Sequence, residues 1–201
     1  MLSFDHLAVS CTVLSDGTSW LEDRLGLSLS NGGEHPDFGT YNKLLSLGPE
    51  EYLEVIAINP AAPAPSRPRW FGLDDFSGPP RLTNWILRSS DLDRDLADAH
   101  ADAGTPIPLS RGDLRWRMAV PAQGALPFDQ MHPALIGWDG PHPAPRLPDQ
   151  GVRLKHVRIT HPHADLLAGC LPSLDDPRLV IEAGPISLTA QLQTPHGVVT
   201  L

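Results

Sequence analysis

Two stretches crowded with proline constrain this chain more than any other feature. The first runs Asn59-Pro60-Ala61-Ala62-Pro63-Ala64-Pro65-Ser66-Arg67-Pro68 and closes with Pro79-Pro80; the second is Gly140-Pro141-His142-Pro143-Ala144-Pro145-Arg146-Leu147-Pro148. Proline lacks the amide donor that sheet ladders and helix interiors need, so both stretches read as connectors. They divide the chain into blocks near 1–59, 81–139 and 151–201.

Each block opens in the same way. A strand at Phe4–Ser10 precedes a helical stretch Asp16–Leu25 closed by Gly26. Leu82–Arg88 precedes Asp91–Ala103, where Leu92, Leu96, Ala99 and Ala103 fall at helical spacing and Gly104 supplies a stop. Leu154–Ile159 precedes a short helix carrying Leu166, Leu167, Cys170 and Leu171, with His161-Pro162-His163 as its turn. Strand-like runs follow each helix: Thr40–Leu47 and Glu51–Ile58, then Leu114–Val120 and Ala134–Trp138, then Leu179–Ala183 and Ile186–Gln193. The repeat is one of pattern, not of residue identity. It predicts an α+β protein with helices packed against mostly antiparallel sheets.

Alternation along the strands then brings chemistry together. Phe4, His6 and Ala8 are expected on one face of the first strand, and Tyr52, Glu54, Ile56 and Ile58 on one face of a later one. A carboxylate flanked by Leu53, Val55 and Ile56 is costly to bury unless a cation, a proton or several donors meet it. An imidazole and a carboxylate from two strands of one sheet form a candidate pair of metal ligands. Thr40 and Asn42 alternate onto one strand face and offer a hydroxyl and an amide that could orient a bound carbonyl or carboxylate. Trp85, Trp116 and Trp138 are core residues by default, or walls of an apolar pocket if the sheet curls. Arg117 could hold an anion or neutralise Glu54; strand phase leaves both open.

Composition excludes several classes. A balance of 15 basic against 24 acidic residues, net −9, disfavours nucleic acid and anionic membrane as partners. No apolar run approaches the roughly 18 residues of a membrane span, and the N-terminus shows no signal-peptide pattern. Cys11 and Cys170 lie far apart in no metal spacing, which suits reduced thiols and a cytoplasmic location. Phosphate loops, nucleophile elbows and His-Glu-x-x-His pairs are absent from the sequence.

The chain resembles the vicinal oxygen chelate superfamily, and within it the glyoxalase-like domain proteins. The resemblance rests on Asp5-His6-Leu7, Trp20-Leu21-Glu22-Asp23-Arg24-Leu25-Gly26, His35-Pro36-Asp37-Phe38-Gly39-Thr40-Tyr41-Asn42, Leu47-Gly48 and Tyr52-Leu53-Glu54. Leu114-Arg115-Trp116, Leu126-Pro127-Phe128, Ile136-Gly137-Trp138 and His142-Pro143 are similar to that family's second half. The resemblance implies a single glyoxalase-like domain over 1–201. Its paired βαβββ modules would curl their sheets around a cup, followed by a third, partial βαββ module. It implies a divalent metal (zinc, iron, nickel or manganese) held by His6, Glu54 and a third ligand such as His35. Glu54 would be the catalytic carboxylate, and Thr40, Asn42, Arg117 and Trp138 would contact a small oxygenated substrate.

The second module departs from the pattern. Asn84 stands where the first has His6, and Ala134–Trp138 offers no carboxylate. Two functions follow from the resemblance: a metal-dependent lyase, isomerase or dioxygenase, or a metal-free protein that binds or sequesters a small molecule. A homodimer is also compatible with it.

Overall fold

The computed structural model describes residues 1–201. It contains β1 (Leu2–Ser10), α1 (Leu14–Leu25), β2 (Ser30–His35), β3 (Thr40–Ser46), β4 (Tyr52–Ile58), β5 (Arg81–Ser89), α2 (Leu92–Asp98), β6 (Thr105–Arg111), β7 (Leu114–Val120) and β8 (Ala134–Trp138). β9 (Arg153–His161), α3 (Ala164–Gly169), β10 (Leu179–Ala183), β11 (Ser187–Thr194) and β12 (Gly197–Thr200) complete the chain. β1 to β8 form one curled sheet in the order β2-β3-β4-β1-β5-β8-β7-β6, and the last four strands form a second in the order β10-β9-β11-β12. This is the expected α+β architecture. β12 extends the third unit by one strand beyond the reading from sequence.

Within the large sheet, β1 runs parallel to β4 and antiparallel to β5, and β5 runs parallel to β8. Each half is therefore a βαβββ unit, and the halves meet along β1 and β5. The curl brings the sheet's two edges, β2 and β6, into contact. Neither edge strand stands out in the sequence. β6 carries Pro106 and Pro108, tolerated because an edge strand leaves one row of amides unpaired. β2 is polar and bulges at Gly32-Gly33.

The convex face is closed by helices. α1 buries Leu14, Gly17, Leu21 and Leu25 against β3 and β4. Gly17 lets the helix approach, since a Cβ there would collide with Cys11 and Val55. Gly26 ends the helix in the left-handed region, φ 68°, where glycine carries no steric penalty. α2 is shorter than its periodicity suggests and ends at Asp98. The main core gathers Leu7, Val9, Leu53, Val55, Trp85 and Leu87 on this side. The concave face has its own apolar cluster, including Ala8, Ile56, Ile86, Trp116, Met118 and Ile136. Trp70, Phe71 and Leu73 from the first proline-rich connector pack into it.

A β-bulge in β1 decides the site. Phe4 pairs with Leu87 and His6 with Ile86, leaving Asp5 as the extra residue. Simple alternation puts Phe4 beside His6; the bulge breaks that phase. Phe4 joins the convex core, and the Asp5 carboxylate bonds Nδ1 of the His6 ring.

Candidate functional site

The first half of the concave face is polar and the second half apolar. His6 and Glu54 come from neighbouring strands, and His6 Nε2 stands 3.6 Å from Glu54 Oε1. The His6 ring is clamped on its other edge by Asp5, with Nδ1 to Oδ1 at 2.6 Å. Tyr52 stacks on its face, centroids 4.2 Å apart. Asp5 is fully buried, and its second oxygen accepts from Trp138 Nε1 at 3.0 Å and meets His142 Nε2 at 3.1 Å. His142 Nδ1 accepts the Ala144 amide, so Nε2 carries the proton it offers to Asp5. The second proline-rich connector thus reaches back to complete the site.

Glu54 is fixed from the opposite side. Asn42 Nδ2 donates to Glu54 Oε2 at 2.7 Å, and the Gly33 amide donates to Asn42 Oδ1 at 2.9 Å, which sets the orientation of the Asn42 amide. The bulge at Gly32-Gly33 makes this grip possible. A Cβ on Gly32 would strike Asn42, and one on Gly33 would lie 2.5 Å from Arg111 Cδ. Gly33 therefore also leaves room for Arg111 to cross from β6 over the joined edges. Its Nη1 lies 3.4 Å from both His35 Nε2 and Asn42 Oδ1, and no carboxylate pairs with it.

These contacts set the charges. Burial opposes a charged His6, but the Asp5 hydrogen bond and the facing Glu54 carboxylate outweigh it and raise His6 to about 9. Burial likewise opposes charge on Glu54 and Asp5. Yet His6 holds Glu54 below the usual carboxylate range, and His142 and His6 hold Asp5 well below it. His35 goes the other way: burial, helped by Arg111, lowers it to about 4. At neutral pH the site holds an imidazolium, two carboxylates, a guanidinium and a neutral imidazole.

The residues singled out from sequence separate into three groups. His6, Glu54, Asn42 and Trp138 meet around one cavity, which His35 also lines. Thr40 does not line it; its hydroxyl holds His35 Nδ1 at 3.1 Å. Arg117 lies on the outer surface, paired with Asp93 of α2 at 2.9 Å. The guanidinium facing the cavity is Arg111 instead. Sequence reasoning missed it because β6 itself was hidden by its prolines. It also missed Asp5, for which the adjacent Asp-His dipeptide was the available signal.

The donor set does not fit a divalent metal bound in the usual way. Catalytic zinc takes three protein ligands, and iron(II) oxygenases take two histidines and a carboxylate. Here no three histidine, cysteine, aspartate or glutamate side chains converge closely enough to hold an ion. The third candidate, His35, presents its free nitrogen to a guanidinium. Across β7 and β8 the cavity wall is hydrocarbon, from Met118 and Ile136. The group that Glu54 faces is the His6 imidazole, Nε2 to Oε1 3.6 Å. Free volume in the cavity is about 30 Å³, room for one or two waters.

The Glyoxalase-like domain family model matches residues 4–174, and the chain belongs to that family. Among solved structures, a Staphylococcus aureus protein described only as hypothetical is similar over 93% of this chain and 88% of its own. It shares 14% identity at a TM-score of 0.59, a likeness of fold. Methylmalonyl-CoA epimerase from Mycobacterium tuberculosis is similar over 67% of this chain and 85% of its own, with 18% identity and a TM-score of 0.43. No curated protein sequence matches this chain.

Proposed function

We propose that the cup is a metal-independent proton-transfer site, of isomerase or lyase type, for a small oxygenated carboxylic acid. One observation carries this reading: His6 Nε2 and Glu54 Oε1 face each other at 3.6 Å in the buried cup, the imidazole clamped on its other edge by Asp5 and the carboxylate held by Asn42. A fixed carboxylate beside a fixed imidazole supplies a base and an acid for one proton transfer. Glu54, ionised, takes a proton from the carbon next to a carbonyl. His6, protonated and held by Asp5, donates a hydrogen bond from Nε2 to the carbonyl oxygen as that oxygen gains enolate charge. The proton returns from Glu54 to the same or a neighbouring carbon, or a leaving group departs. Arg111, without a carboxylate partner, anchors the acid end.

Access requires movement. The cavity is capped by Trp70 and Phe71, part of a connector that belongs to neither sheet. Phe71 sits at φ 58°, an unfavourable region for a non-glycine residue. A ligand of more than a few atoms needs this segment to shift.

The test is hydrogen exchange at carbon, followed by proton NMR in heavy water, across a panel of 2-oxo and 3-oxo carboxylic acids. Metal-free protein should exchange the activated C–H of at least one member. Glu54→Gln should abolish the exchange, and Arg111→Gln should weaken binding. Exchange that needs added zinc, iron, nickel or manganese would refute the metal-independent reading. Binding without exchange would leave the cup a sequestering site.

A further inference from the structure

The cap over the cavity is seated at a cost. Phe71 takes φ 58° and ψ 20° and Gly72 takes φ 61°, so two successive residues lie in the left-handed region, one of them bulky. Gly72 rests on the Gln130 side chain, and Phe128, Asp129 and Gln130 are themselves left-handed. Six buried side-chain polar atoms in the protein lack a hydrogen-bond partner, and three belong to this seam: Arg69 Nε, Trp70 Nε1 and Gln130 Oε1. A single hydrogen bond ties residues 69–75 to the rest of the chain, from the Gly72 amide to the Gly124 carbonyl at 3.1 Å. Strain and unmet polar groups persist only where something else holds them in place. Here that is burial of the two aromatic side chains.

Those two side chains are held differently. Trp70 is anchored by Phe38, stacked at 4.0 Å between centroids, and by the edge of His35 at 5.0 Å. Phe71 is only 3% exposed, lines the cavity and packs into the concave apolar cluster. Its ring lies 5.6 Å from that of Trp70, the planes 21° apart. We infer that the Phe71 side chain is a built-in plug holding the place of an aromatic ring on the ligand. Turning Phe71 out of the left-handed region relieves its backbone and empties a seat beside Trp70. The rest of that cavity's apolar wall is Trp116, Met118, Ile136 and Trp138, while His6, Glu54 and Arg111 form its polar wall. An aryl group answers the first wall and an oxo acid the second. The ligand class is therefore an aryl-substituted oxo acid, which rests on the reading of the cup as an acid-binding proton-transfer site.

The experiment compares 2-oxo acids bearing a terminal phenyl group with the same acids bearing hydrogen in its place, over several chain lengths. Binding is measured by calorimetry to the wild type, Phe71→Ala and Arg111→Gln. At one or more lengths the phenyl acid should bind the wild type about tenfold or more tighter than its counterpart. Phe71→Ala removes the competing ring, so that phenyl acid should gain roughly threefold or more again, with its counterpart little changed. In the wild type, binding the phenyl acid should also break the Gly72–Gly124 hydrogen bond and speed hydrogen exchange at the Gly72 amide. That readout needs no variant, so it decides even where Phe71→Ala does not fold. Unchanged Gly72 exchange with the phenyl acid bound, or weaker phenyl-acid binding by folded Phe71→Ala, would overturn the plug. Equal binding of both series, weakened in Arg111→Gln, would overturn the plug and leave the acid site standing. Failure of both series to bind the wild type and Phe71→Ala would overturn the acid site, and the plug with it.

Discussion

Replacing Asp5 with asparagine tests the electrostatic design most sharply. The Asp5 carboxylate is completely buried and takes hydrogen bonds from His6, Trp138 and His142. Asparagine keeps the size but removes the charge, and it turns an NH2 group toward at least one of those donors. Breaking a buried, hydrogen-bonded charge pair costs roughly 3–5 kcal/mol, a large share of the 5–15 kcal/mol typical of a domain. The loss should appear in urea unfolding at pH 7 as a lower midpoint with an unchanged m-value. A second readout separates this mechanism from generic damage. Wild-type His6 is raised from 6.5 to about 9, so its contribution is fully present below pH 6.5 and is lost as pH rises through 9. That difference corresponds to about 3 kcal/mol. In Asp5→Asn, burial should dominate His6, and most of this alkaline loss should vanish. Stability within about 1 kcal/mol of wild type, or an unaltered slope between pH 6.5 and 9, would refute the reasoning.

Three other outcomes follow from the same contacts. His35 and His132 are both lowered to about 4 by burial; their contribution is present above 6.5 and lost as pH falls through 4. With His6 acting in the opposite direction, wild-type stability should peak near pH 6.5, as chemical denaturation across pH 4–10 will show. Gly33→Ala would place a methyl against the Arg111 side chain, so calorimetry should find carboxylate binding weakened several-fold. Its melting temperature should fall by no more than a few degrees. Gly124→Ala, at φ 75° and against the Arg69 carbonyl, should cost about 2–3 kcal/mol in denaturant unfolding.

Much of the fold was legible because hydrophobic strands announce themselves. β1, β4, β5 and β8 are buried on both faces and read as nearly continuous apolar runs, and their order gave the α+β repeat. β2 and β6 escaped because edge strands tolerate glycine, proline and polar side chains. The site followed the same division. His6, Glu54 and Asn42 sit on regular central strands, where a period of two places side chains correctly. Asp5 came from a bulge that breaks the period, and Arg111 from an edge strand that meets the far edge only because the sheet curls. Arg117 was the wrong arginine for a related reason: it lies on the β7 face that turns toward α2 and Asp93.

The most direct measurement is the titration of the His6 imidazole by nitrogen-15 NMR between pH 5 and 10, with chelator and then with stoichiometric zinc. The imidazolium should persist through neutral pH, lose its proton near 9, keep Nδ1–H toward Asp5, and respond little to zinc. A His6 that is neutral at pH 7 and whose Nε2 resonance shifts on stoichiometric zinc would contradict the account and return His6 and Glu54 to the role of metal ligands.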